Sequence, residues 1–139
     1  MGFALSLTSF NASALEPPLV IEKNQKHFVV ANRFALYSLG LRLLKDSACA
    51  NKVSITDHSK EDLAFIRRTF TEEENIYFSE DVVAIELMER EEIESDIASS
   101  IETTGNIDAA CLKLERLYKS NYKTAKEDFS RLIRAKSKL

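Results

Sequence analysis

Glycine and proline are scarce in this chain: of 139 residues three are Gly and two are Pro, and both prolines, Pro17 and Pro18, lie near the start. From Leu19 onward nothing forces the backbone out of long helices, which predicts an all-α protein. Long apolar runs are also missing. The longest candidate, residues 28–44, contains Asn32, Arg33 and Arg42, so no segment offers the roughly 18 uninterrupted apolar residues of a membrane span. A net charge of −3 argues against a broad phosphate-neutralising surface, and nucleic acid is not the expected partner.

Chemistry-bearing motifs are absent as well. His27 and His58 are the only histidines, and neither has a Cys or a second His at ligand spacing, so no metal site is expected. The chain has no Gly-x-Ser-x-Gly elbow and no Gly-rich phosphate loop, and the expectation is a non-enzymatic protein without cofactor. Carboxylates are abundant, but di-metal bundles also need a Glu-x-x-His pair aimed inward, which this sequence lacks.

What is present suits one folded domain. Hydrophobic residues make up 45% and charged residues 29%, and a chain of this length buries about two-thirds of its unfolded surface. Residues 1–22 carry only Glu16 and Glu22 as charges and read as a leader or an extended arm, with a single helical domain over 23–139. The stretch ALSLTSFNASALEPP ends its apolar run in Ala12-Ser13-Ala14, the small-x-small ending of a cleaved export signal, although no basic residue precedes Lys23. Cleavage there would start the mature chain at Leu15. As an arm, the same stretch would bury Phe3, Leu5, Leu7 and Phe10 against something else.

Four helices are expected in an antiparallel bundle. The first, residues 23 to about 48, aligns Phe28, Ala31, Ala35 and Leu39, widened by Leu36 and Leu43, and leaves His27, Asn32 and Arg42 among its polar positions. A loop follows over 49–57. Ser59-Lys60-Glu61-Asp62 reads as a capping box opening a second helix with Leu63, Ile66 and Phe70 on one face. Thr71-Glu72-Glu73-Glu74 offers another box and Ser79-Glu80-Asp81 a further start, so residues 71–79 are expected to form a bend. From Glu80 to about Ile101, residues Val82, Ile85, Ile93, Ile97 and Ile101, with Val83 and Leu87 beside them, keep helical spacing. After Thr103-Thr104-Gly105-Asn106, the last helix carries a seam of Ile107, Cys111, Leu114, Tyr118, Ala125, Phe129 and Leu132, with Asn121 its polar member, and either continues through Ser120-Asn121 or breaks there.

Charge separates the last two helices. Nine acids stand against Arg90 in residues 80–102, whereas nine bases outnumber four acids in the last helix. A short Gly-containing turn sets the two antiparallel, with charge selecting the pairing and apolar seams holding it. Glu86, Glu89, Glu91, Glu92 and Glu94 are therefore the candidate surface for a basic partner, and Lys119, Lys123 and Lys126 for an acidic one. Cys49 and Cys111 are the only cysteines; they form a disulfide if the chain is exported and two buried thiols if it is cytosolic.

Residues 98–110 resemble one tetratricopeptide hairpin, with a small residue at Ala98, the turn Gly105 and Ala110 five positions on. The motif's early aromatic and closing proline are absent, and there is no second copy, so the pattern stands as ordinary helical-hairpin grammar. Residues 120–133 are similar in their Ala, aromatic and Leu spacing to the last helix of lumenal extrinsic photosystem subunits of the PsbQ type. That similarity implies a four-helix structural subunit, delivered by a leader ending in Ala-x-Ala and docked on a larger complex. The residues themselves favour a small exported protein, periplasmic, lumenal or secreted, that binds another protein as an accessory subunit, inhibitor or immunity-type protein. The alternative is a structural subunit of a larger complex with residues 1–22 as a binding arm.

Overall fold

The computed structural model describes residues 24–138, and the leader-or-arm reading of residues 1–22 lies outside them. Four helices follow in order: α1 (Gln25–Lys45), α2 (Ser59–Arg68), α3 (Glu72–Thr104) and α4 (Ile107–Ser137). No strand occurs among the described residues. Cross-helix contacts fix the directions. Ser38 meets Asp62 and His27 meets Thr69, so α2 runs back along α1. Asn24 meets Glu74 and Asn32 meets Asp81, so α3 runs parallel to α1. Lys136 returns to His27, which sends α4 down again. The result is an up-down-up-down bundle.

Local chemistry sets the boundaries. Thr71 Oγ1 accepts from Glu74 N at 3.1 Å, while Thr71 N donates to Glu74 Oε1 at 2.8 Å, a complete capping box that starts α3 at Glu72. Gly105 closes α3 at φ 94°, where a side chain would be strained. Asn106 then caps α4 by accepting from Ala109 N at 2.8 Å.

Four local expectations are corrected. Residues 71–79 do not bend: α3 continues for 33 residues because Phe78 is buried beside Phe70, ring centroids 5.5 Å apart, and no Gly or Pro interrupts it. The Ser79 start is likewise absent; Asp81 turns inward to accept from Asn32 at 3.0 Å. Ser59 is not a cap but the first residue of α2, whose start is held by Asp57 Oδ1 accepting from Ser59 N at 2.9 Å and from its hydroxyl at 2.7 Å. Helix α4 runs unbroken through Ser120-Asn121, and α1 ends at Lys45, three residues early.

The core has two parts. One gathers Phe28, Phe34, Leu39, Ile66, Phe70, Phe78, Ile85 and Phe129 around α2. The other gathers Leu41, Leu43, Leu44, Ile55, Ile93, Ile97 and Leu114 around the disulfide. With only ten residues, α2 covers the first part alone, and the segment 46–58 folds Ile55 over the second. Cys49 and Cys111 are bonded and fully buried there, with Cα atoms 5.5 Å apart. Their separation of 62 residues corresponds to about 4 kcal/mol in the loop-entropy account. Replacing both cysteines by alanine is expected to lower the unfolding free energy extrapolated from urea melts by about that amount, moving the midpoint down, with little change in helical circular dichroism. An unchanged midpoint would show that the bond adds nothing to stability.

Candidate functional site

Between the two parts of the core lies a layer of polar groups. On α1 it comprises Ser38 and Gly40, on α2 Asp62, on α3 Glu89 and Asp96, and on α4 Tyr118 and Tyr122. Asp62 is buried and accepts from the Ser38 hydroxyl at 2.7 Å and from the Tyr122 hydroxyl at 2.8 Å, both through Oδ2. Lys126 stands 4.0 Å from its other oxygen. Its donors come from α1 and α4, not from the backbone at the start of its own helix.

Glu89 occupies the other side of the layer. It is 6% exposed, and its Oε1 would lie 3.4 Å from a Cβ placed on Gly40, so α1 presents bare backbone where the carboxyl packs. Burial, reinforced by the carboxylates of Asp96 and Glu92 and opposed by a hydrogen bond from Tyr118, pushes Glu89 up to about 8. Burial also raises Tyr118, whose hydroxyl donates to Asp96 Oδ2 at 2.7 Å. An acid neutral at pH 7 thus sits beside one that accepts a hydrogen bond from a phenol.

A second polar cluster closes the end of the bundle where α1 begins and α4 finishes. His27 is buried, stacked on Phe70 at 4.2 Å. Its Nδ1 accepts from Lys136 Nζ at 3.0 Å, and its Nε2 donates to Thr69 Oγ1 at 3.0 Å, whose hydroxyl passes to the Ile66 carbonyl at 2.6 Å. That chain requires the neutral ring. Burial and the Lys136 ammonium bring His27 down to about 4, against the Glu74 carboxylate. The position differs from the polar face expected for it, because the ring fills space between α1, α2 and α4.

The candidate partner-binding residues are divided. Glu91, Glu92 and Glu94 are exposed and enter no ion pair among the described residues. Glu86 is paired with Arg42 and lies 3.9 Å from Arg90. Glu89 points inward and offers no surface, since residue 89 falls on the same side of α3 as Ile85 and Ile93. On α4, Lys119 holds the Ser54 carbonyl and Glu115, each at 2.6 Å, and Lys126 lies over the Tyr122 ring at 5.7 Å. Lys123 alone of the three points outward unpaired among the described residues.

Sequence reasoning placed Val83 and Leu87 beside the core seam, and both are on the outside. Ile76, Val83 and Leu87 are 61%, 60% and 63% exposed. Their separations of seven and four residues align them on one line of α3, turned well away from Phe78, Ile85 and Ile93. The signal was present as a second helical register in the same stretch.

Among the described residues no group of three His, Cys, Asp or Glu could hold a metal ion, and no helix is long and apolar enough to cross a membrane. No protein-family model, curated protein or solved structure matches the chain.

The buried acid has a definite pH signature. A carboxyl raised from 4.5 to about 8 keeps its proton in the folded state after the unfolded chain has lost it, so its contribution falls as pH rises from 4.5 to 8. His27 acts oppositely: lowered to about 4, it removes stability as pH falls from 6.5 to 4. The two slopes offset one another near pH 5 to 6, and above 6.5 Glu89 acts alone. Glu89→Gln is therefore expected to raise the melting temperature at pH 8.5 and to flatten the decline between pH 6.5 and 8.5. Thermal melts with the same slope in both proteins would place the titration elsewhere.

Proposed function

We propose that this chain is a non-enzymatic protein that acts by binding another protein through the outer face of α3, in an oxidising compartment outside the cytosol. The observation that supports this most is the exposed line of Ile76, Val83 and Leu87 beside Glu91 and Glu94, which enter no ion pair among the described residues. Apolar side chains aligned on a single face mark an interaction surface more than scattered ones do. The buried Cys49 to Cys111 bond favours export, because such bonds persist where thiols are not kept reduced. Against catalysis stand the histidines: both ring nitrogens of His27 are occupied by Lys136 and Thr69, and His58 is exposed at the start of α2.

Two measurements test this reading. Intact mass of the protein from its native cell, taken without and then with reductant, is expected to rise by two hydrogens on reduction; an unchanged mass with both thiols free removes the export argument. A photo-reactive side chain at position 83, expressed in the same cell, is expected to give an adduct with a different protein that the same group at exposed position 60 does not. Adducts at 60 and none at 83 would overturn the assignment of the face.

A further inference from the structure

The outer face of α3 has the grammar of a seam. Ile76, Glu80, Val83, Leu87, Arg90 and Glu94 follow alternating spacings of four and three, the repeat that one helix offers to another. Ile76 to Leu87 spans about 16 Å of helix axis, roughly three turns. Two of the polar members, Glu80 and Glu94, are exposed acids, and Glu73 and Glu91 flank the line on one side. None of these four enters an ion pair among the described residues, and the one base, Arg90, already lies near Glu86.

We infer that this seam receives a basic amphipathic helix of another protein, its apolar side chains against Ile76, Val83 and Leu87 and its lysines or arginines over Glu80 and Glu94. The inference rests on the reading of the α3 face given above and adds the chemistry of the partner. An acidic flank around an apolar line selects cationic partners and rejects acidic ones. A second copy is disfavoured on the same ground: antiparallel pairing could bring Glu80 to Arg90, but it would also crowd Glu73, Glu91 and Glu94 of both copies into one interface. An anionic lipid surface is repelled by the same acids. Cationic side chains that meet four unpaired carboxylates make the contact sensitive to salt.

The test uses the full chain and a synthetic amidated peptide of about 18 residues, five turns of helix, with leucines at seam positions and lysines beside them. A twin peptide carries glutamate in place of each lysine. Fluorescence anisotropy is expected to show the lysine peptide binding at least about tenfold tighter than its twin, equivalent to about 1.4 kcal/mol, with weaker binding as salt rises. Val83→Ser with Leu87→Ser should weaken it about tenfold without loss of helical signal, whereas Glu80→Lys with Glu94→Lys should reverse the preference between the peptides.

Equal binding of the two peptides, no binding of either, or a preference untouched by the charge reversal would overturn the inference. So would an adduct from position 83 that joins two copies, or one that joins the chain's own residues 1–22. The failures are separable: a foreign adduct at position 83 combined with indifferent peptides removes only the basic helix, and no foreign adduct at all removes the underlying reading.

Discussion

The bond between Cys49 and Cys111 is the constraint on which the second half of the bundle depends. Helix α2 is ten residues long and packs beside the part of α1 that carries Phe28 to Leu39. Beyond it, the apolar faces of α1, α3 and α4 meet with only the segment 46–58 to cover them. Within that segment only turn bonds such as Ala50 N to the Ser47 carbonyl and Lys52 N to the Cys49 carbonyl hold the chain, and Lys119 on α4 reaches its Ser54 carbonyl. Anchoring the segment to the second turn of α4 through Cys111 helps fix where Ile55 sits, over Leu44, Ile93 and Ile97. The same bond limits how far α1 can slide along α4, which keeps Ser38, Asp62 and Tyr122 in register.

Register matters because the middle of this core is polar. Ser38, Asp62, Glu89, Asp96, Tyr118 and Tyr122 lie between two apolar clusters, and a slip of one turn would separate Asp62 from both of its donors. A buried carboxylate without donors is far more costly than one that is served, so the layer penalises alternative packings more than it stabilises the native one. Glu89 differs from Asp62 in having no cation and no second donor around it. It tolerates burial by holding its proton, and Gly40 on α1 leaves the room for it.

Much of the fold was legible in the sequence because periodicity and caps are local. The seam Cys111, Leu114, Tyr118, Ala125, Phe129 is buried as its spacing predicts, and Gly105-Asn106 ends one helix and starts the next. Cysteine arithmetic gave the pair but left its state open until both were seen fully buried and bonded. What spacing could not give was the choice between registers. Residues 71–81 hold two plausible helix starts, and only the burial of Phe78 against Phe70 decides that the first begins one long helix. For the same reason Val83 and Leu87 were assigned inward and Glu89 outward. In a stretch where apolar residues follow two overlapping lines, composition favours the line with more aliphatic side chains. The packing of Gly40 against residue 89 is a tertiary fact without a local trace.

Helix α3 therefore carries two lines of different character, and the difference explains why only one of them was used by the fold. The inner line, Phe78, Ile85, Ile93 and Ile97, alternates with residues that find partners on α1 and α4: Asp81 with Asn32, Glu86 with Arg42, Asp96 with Tyr118. The outer line, Ile76, Val83 and Leu87, has acids around it that find none among the described residues. Folding alone does not require the second arrangement, since polar side chains at 76, 83 and 87 would leave every internal contact intact. Exposed aliphatic side chains at those positions give nothing to the core and raise the risk of self-association, which the surrounding negative charge opposes. A face that is apolar enough to bind and acidic enough to repel its own kind is suited to a partner of opposite charge.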